Sequence, residues 1–328
     1  MARAWHLASR PQGVPTTETF ALGDLALPPL DDGMVRVRNR WLSVDPYMRG
    51  RMNDVKSYVP PFAIDAPLEG GAIGEVVESK ADGFKPDDLA VHMAGWRDEA
   101  VLPASALTRL PDLGVEPQAF LGILGLTGGT AYFGLLDAAS AKEGDIVFVS
   151  AAAGAVGSAV VQIAKAMNMT VIGSARGPDK CEFVRSLGAD AVVDYTAGPL
   201  VKSLAAAAPD GIDVYFDNVG GDHLDAALAV ARRDARFAMC GMIDAYNSGQ
   251  PAALRYIMRI IGMRIRLQGF IYTDYLPRLP EFYRDMGKWI AGGKVKSSDT
   301  VVDGLERMPE AFLGLFEGAN TGKMLVRV

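Results

Sequence analysis

Hydrophobic and polar positions follow two different rhythms along this chain. In its first third they alternate, as in MVRVRNRWLSVD (34–45) and GAIGEVVES (71–79). A period of two marks half-buried strands, and the Pro, Gly and Asp between such runs supply turns. Residues 1–112 therefore predict a β-rich, largely antiparallel region. From about Val115 the pattern changes to short apolar runs: DIVFVS (145–150), MTVIGSA (169–175), ADAVVDY (189–195), IDVYFDNVG (212–220) and ARFAMCGM (235–242). Between them lie stretches of helical period at 155–167, 179–187, 199–207 and 223–231. Such alternation predicts an α/β fold, a doubly wound parallel sheet with right-handed helical crossovers. A further helical stretch at 280–291 leads into a tail where DTVVDG (299–304) and GKMLVRV (322–328) read as strands again. The tail is thus expected to rejoin the first domain and make it discontinuous. The expected boundaries are 1–118, 119–292 and 293–328.

Length and charge narrow the class. The 328 residues exceed one ordinary domain, and Lys+Arg 33 against Asp+Glu 39 gives a net charge of −6 with no basic block. Nothing suggests a phosphate-backbone partner, so nucleic acid is not expected. No signal-like apolar stretch opens the chain, and the most apolar later segment, 252–263, is interrupted by Arg255 and Arg259, so no membrane association is expected. Two well-separated cysteines, Cys181 and Cys240, suit a reducing cytosol better than a disulfide framework. The expected location is cytoplasmic.

The chemistry starts in VSAAAGAVGSAVVQIAK (149–165). Ala152, Gly154 and Gly157 keep the spacing of a dinucleotide fingerprint whose first glycine has become alanine. The turn needs a small residue to leave the strand. Gly154 would let a pyrophosphate lie against bare backbone, and Gly157 would let helix and strand pack closely. A tight turn without a ligand would use the same residues, but the strand before, the helix after and the strand-helix units that follow favour a phosphate site at a helix N-terminus. The second strand of a site for a free ribose 2′-hydroxyl should end in an acid. It ends instead in GSARGPDK, with Ser174 at that place and Arg176 and Lys180 following. Alone, these cations would read as solvated surface charges; beside the fingerprint they favour a 2′-phosphate, hence NADPH over NADH.

Taken together, AAAGAVGSAVVQIAK, GLTGGTAYFGL, YFDNVGG and LSVDPYMRGRM resemble the zinc-independent medium-chain dehydrogenases/reductases, in particular the prostaglandin, 2-alkenal and curcumin reductase group. The likeness runs over essentially the whole chain. It implies a GroES-like β-rich domain beside a Rossmann domain, a homodimer, and NADPH-dependent reduction of the C=C bond of an enone or enal. It also implies cofactor contacts at Gly154, Ala155 and Val156 (pyrophosphate) and at Lys180 and Tyr195 (2′-phosphate). For ribose and nicotinamide it implies Asn218, the segment Cys240, Gly241, Met242, Ile243 and Tyr246, the segment Phe270, Ile271 and Tyr272, and Asn320. Tyr246 and Tyr58 match the tyrosines expected near the substrate carbonyl. Trp41, Tyr47, Phe62, Phe270 and Tyr272 would line an apolar pocket, though each serves equally well as core.

No metal is expected. A catalytic zinc takes three protein ligands; where related zinc alcohol dehydrogenases carry a cysteine and a Gly-His-Glu stretch, this chain has Asp45 and Glu69–Gly71, and its three histidines, His6, His92 and His223, share no ligand spacing. Without a Lewis acid, a hydrogen-bond donor must take the charge that reaches the carbonyl oxygen, and a tyrosine, with an ordinary pKa of about 10, remains a donor at neutral pH. Two alternatives stay open from sequence: an NADPH quinone reductase, and a non-catalytic NADPH-binding or structural protein.

Overall fold

The computed structural model describes residues 1–247 and 253–328. Part of the loop 243–255 and the first residue of the apolar segment 252–263 thus lie outside the described residues. In chain order the elements begin with β1 (Ala2–Leu7), β2 (Phe20–Leu25), β3 (Met34–Ser43), α1 (Tyr47–Arg51), β4 (Ala72–Ser79), β5 (Leu89–His92), β6 (Glu99–Pro103) and β7 (Thr108–Arg109). Next come α2 (Leu126–Phe133), β8 (Ile146–Val149), α3 (Ala155–Ala166), β9 (Thr170–Ala175), α4 (Gly177–Ser186), β10 (Ala191–Asp194), α5 (Leu200–Ala207) and β11 (Ile212–Asp217). The series closes with α6 (Gly221–Val230), β12 (Ala231–Met239), α7 (Arg259–Met263), β13 (Arg266–Gly269), α8 (Leu279–Ala291), β14 (Asp299–Asp303), α9 (Met308–Glu317) and β15 (Lys323–Arg327).

The chain divides into two compact units, one of Met1–Leu121 with Asp299–Val328, the other of Gly122–Ser298. In the first, β3 carries the alternation noted above, with Val35 and Val37 buried between more accessible arginines. It is the trunk of a sheet ordered β14-β15-β3-β4-β5-β7, with β6 also on β3. The β3–β4, β3–β6 and β15–β3 pairs are antiparallel, whereas β14 and β15 run parallel. From the pattern alone the tail holds strands; between them the structure adds α9. Its apolar Met308, Ala311 and Phe312 recur at helical spacing and are buried, and Gly318 ends it in the left-handed region. Phe312 completes a ring cluster with Phe20 and Trp96, with centroids 5.4–6.0 Å apart.

In the second unit six strands run parallel in the order β10-β9-β8-β11-β12-β13. Burial on both faces explains why these strands read as continuous apolar runs rather than alternating ones. Across neighbouring strands inside this core Phe148 stacks on Tyr215, and Tyr215 meets Phe237 edge to face. The strand order reverses between β8 and β11. The crevice at the carboxyl ends of strands on either side of such a reversal is where open α/β sheets bind ligands.

Candidate functional site

At the end of β8 the chain turns through Ser150–Gly154 into α3. Ala151 takes a positive φ of 47° and its carbonyl accepts the Gly154 N–H at 2.9 Å. That carbonyl fills the space over Gly157: a Cβ there would sit 2.2 Å from it, so only glycine fits. Ala152 replaces the first glycine of the fingerprint without strain, because the left-handed residue is its neighbour and the strand facing it carries Gly173, where a Cβ would come within 2.9 Å of the Ala152 methyl. Gly154 differs. A Cβ on it would meet only the Ala151 oxygen, at 3.3 Å, so the turn leaves open space in front of Gly154. Gly154 is also the N-cap of α3, and no side chain caps the helix there. The N-terminal N–H groups, including those of Ala155 and Val156, fit an anion, as a pyrophosphate requires.

The end of β9 supplies the cationic side. Ser174 is fully buried, and among the described residues its Oγ finds no partner. Its contribution is therefore the absence of a carboxylate rather than a side chain facing outward. Arg176 is exposed and donates from Nε to the Tyr195 hydroxyl at 3.1 Å. Burial lowers the Lys180 pKa, and the neighbouring Arg176 charge lowers it further. Two cations that repel one another make an environment that an added phosphate would relieve. Asp194 braces this corner from β10: one carboxylate oxygen accepts the Gly177 N–H at 3.1 Å and both the N–H and hydroxyl of Thr196, at 3.0 and 2.7 Å. These bonds, the Thr196 hydroxyl foremost, hold its carboxyl below the usual range.

Past β11 the organising group is Asp217, fully buried and not singled out from sequence. Its Oδ1 accepts the Tyr215 hydroxyl (2.7 Å) and the N–H groups of Val219 (2.9 Å) and Gly220 (2.7 Å), with Ser150 Oγ at 3.4 Å. Its backbone oxygen accepts the N–H groups of both Cys240 and Gly241 at 3.0 Å. One residue thus links the Asn218 loop to the segment after β12. Asn218 is fixed in turn by its backbone N–H to Ser150 Oγ (2.9 Å) and its side-chain amide to the Ser150 carbonyl (2.8 Å). The Ile243 and Asp244 N–H groups close back onto the Asn218 and Val219 carbonyls at 3.4 and 3.2 Å. Tyr246 follows the short helix Ile243–Ala245, and its hydroxyl lies 3.1 Å from where a Gly241 Cβ would be. Burial pushes the Cys240 thiol up to about 12, so it stays protonated.

Phe270 and Tyr272, beyond β13, press against α2 and the turn after it. Side chains at Gly134 and Gly129 would collide with their rings, and Phe270 meets Phe216 edge to face. Burial pushes the Tyr272 phenol up to about 12. Ile271 between them is half-buried. In the first unit, the Asn320 amide donates to the Gly322 carbonyl at 2.7 Å, and Tyr58 is 64% exposed. Phe62 is buried beneath the Arg51 guanidinium, and Trp41 faces Arg327. Asp45, at the place of a zinc ligand in related enzymes, is bound instead by the Ser43 hydroxyl and by the buried Lys323 ammonium at 2.7 Å. Among the described residues no three His, Cys, Asp or Glu side chains gather as a metal site, and no helix is long and apolar enough to cross a membrane.

A parallel sheet reversing at β8/β11, with a bare glycine turn and a cationic corner at its carboxyl ends, fits the class of dinucleotide-binding proteins. Comparison with known proteins makes the class particular. Residues 3–110 match the family model described as the N-terminal domain of oxidoreductase, and residues 155–291 the one described as zinc-binding dehydrogenase. The chain is 42% identical to the NADPH-dependent curcumin reductase of Escherichia coli (strain K12), over 99% of this chain and 96% of that one. It is 41% identical to the NADP(+)-dependent 2-alkenal reductase of Nicotiana tabacum, over 90% and 87%. The solved structure of CurA from Vibrio vulnificus in complex with NADPH superposes with a TM-score of 0.94 at 41% identity, covering 99% of each chain. The chain belongs to the medium-chain dehydrogenases/reductases, in the group of the curcumin, 2-alkenal and prostaglandin reductases. It is an NADPH-dependent oxidoreductase acting on small molecules.

Proposed function

We propose that the protein reduces the carbon-carbon double bond of α,β-unsaturated ketones or aldehydes. When bound, NADPH supplies the hydride. The chain's own residues do the rest. The Gly154 turn, with the Ala155 and Val156 N–H groups and close packing at Gly157, holds the pyrophosphate. Arg176, Lys180 and Tyr195 take the 2′-phosphate, with Ser174 leaving out the acid that would repel it. Asn218, the segment Cys240–Tyr246, the segment Phe270–Tyr272 and Asn320 hold the ribose and nicotinamide.

Tyr246 and Tyr58 donate hydrogen bonds to the substrate carbonyl oxygen. As the β-carbon gains a hydride, the π electrons move toward that oxygen and an enolate forms; a phenol aimed at it lowers the barrier. The α-carbon then takes a proton from solvent, so the product has gained two hydrogens and NADPH has become NADP+.

The observation that supports this reading above others is the placement of Tyr246. Its hydroxyl sits against the Gly241 backbone, in a segment tied through Asp217 and Asn218 to the carboxyl end of β11. Likeness to relatives named curcumin reductase and 2-alkenal reductase points the same way. The test follows NADPH absorbance with enones of increasing chain length, small quinones and saturated aldehydes, alongside Tyr246→Phe. Enones are expected to be the preferred acceptors, yielding the saturated carbonyl compound. Tyr246→Phe should lower kcat by about 100-fold or more with little change in NADPH affinity. Preference for a saturated aldehyde or a quinone, or full activity in the variant, would remove the proposal.

A further inference from the structure

Tyr195 has two partners that matter to the cationic corner. Its hydroxyl accepts Arg176 Nε at 3.1 Å, and its ring meets the His223 imidazole edge to face, with centroids 5.0 Å apart and planes at 75°. His223 stands in the first turn of α6, directly after the Asn218–Gly220 loop, and is only 6% exposed. Among the described residues its Nε2 has no hydrogen-bond partner. Burial pushes its pKa down to about 4 despite the nearby Asp222 carboxylate, so the ring is neutral at physiological pH. It therefore brings neither a charge nor a bond from Nε2 to this corner; it brings a flat face or edge against a phenol.

An exposed arginine loses side-chain freedom when it takes up an anion, and one already held by a fixed phenol has less to lose. We propose that His223 is a positioning residue for cofactor discrimination: its ring sets Tyr195, Tyr195 sets the Arg176 guanidinium, and the preset guanidinium favours a 2′-phosphate over a 2′-hydroxyl. This rests on the assignment of Arg176, Lys180 and Tyr195 to the 2′-phosphate. It adds to that assignment a residue from α6, the helix that follows the Asn218–Gly220 loop.

The test is equilibrium titration of NADPH and NADH, read by fluorescence, on the full chain and on His223→Ala, His223→Phe and Arg176→Ala. His223→Ala should raise the Kd for NADPH about three- to tenfold, the range of one aromatic contact, with less than about a twofold change for NADH. His223→Phe retains a ring and should keep the wild-type ratio of the two constants. Arg176→Ala should weaken NADPH binding by about tenfold or more through loss of a charge-assisted bond. Should His223→Ala not fold, His223→Leu fills the space without a ring and carries the same expectation. Equal weakening of both cofactors, or an unchanged ratio, in folded His223→Ala or His223→Leu while Arg176→Ala loses NADPH would overturn the inference and leave the phosphate assignment standing. An unchanged ratio in Arg176→Ala would overturn both.

Discussion

Asp45 in the first unit and Asp217 in the second are both buried, and the two are satisfied in opposite ways. In the first, Asp45 meets a cation: Lys323 donates to it at 2.7 Å and to the Val44 carbonyl at 2.8 Å, with both side chains almost fully enclosed. In the second, among the described residues, Asp217 receives only neutral donors; its Oδ2 has no partner, and burial outweighs those bonds and pushes its carboxyl up. The Asp45–Lys323 pair joins residues 278 positions apart and so fastens the returning tail to the start of the same unit. Asp217 reaches Tyr215, the next few residues and the segments that follow the two adjacent strands β8 and β12, so it shapes loops rather than closing a domain. A charge pair serves long-range closure, whereas a lone carboxylate among N–H groups serves local loop geometry.

The comparison breaks most sharply if Asp45 is left without its cation. Lys323→Met strands a buried carboxylate with little beyond the Ser43 hydroxyl, and should cost about 3–5 kcal/mol, measured by chemical denaturation. Adding Asp45→Leu removes the stranded charge and should recover most of the loss. Equal instability in the single and double variants would mean that Lys323 matters for packing and not for the pair.

A smaller effect sharpens the same contrast between paired and unpaired burial. His92 and His223, one in each unit, are buried imidazoles whose pKa values fall to about 4, chiefly through desolvation. Folded values below the ordinary 6.5 mean that the native state refuses a proton that the unfolded chain accepts. Above pH 6.5 neither state is protonated and the effect vanishes; as pH falls from 6.5 toward 4, stability is lost. Each histidine should remove about 2 kcal/mol by pH 5. Denaturation at pH 7 and pH 5 checks this, because His223→Phe should lose less stability over that interval than the wild type. The same drop in both would assign the acid sensitivity to other groups.

What was legible in the sequence follows how far each feature's partners lie along the chain. The alternation of β3, the apolar runs of the parallel sheet and the Ala152-Gly154-Gly157 spacing are local patterns, and the structure shows strands, sheet and turn at those places. Ala152 looked like a departure from the glycine rule; Gly173, twenty-one positions on, explains it, since the missing side chain moved to the facing strand. The sequence assigns no role to His223, nor to Asp217 although it lies within YFDNVGG, because their meaning comes from Ser150, Cys240 and Tyr195 on other elements. The aromatic pair Phe270 and Tyr272 was ambiguous between pocket and core for the same reason: the glycines of GLTGGTAYFGL that receive their rings lie more than a hundred residues away.

The smallest expected change in stability separates two glycines that look alike in sequence. Gly157 is bare because the fold requires it: the Ala151 carbonyl occupies the place of its side chain. Gly154 has φ −82° and ψ 176°, which any residue adopts, and a methyl there would meet only the Ala151 oxygen, at 3.3 Å. Gly154→Ala should therefore cost under about 1 kcal/mol, the scale of a changed N-cap. Its proposed role places the added methyl where a pyrophosphate must lie against backbone, so NADPH affinity should fall roughly tenfold or more while the melting temperature barely moves. A variant that binds NADPH like the wild type would show that the space in front of Gly154 is not where the phosphates go. Matched losses of affinity and stability would instead give Gly154 the same structural role as Gly157.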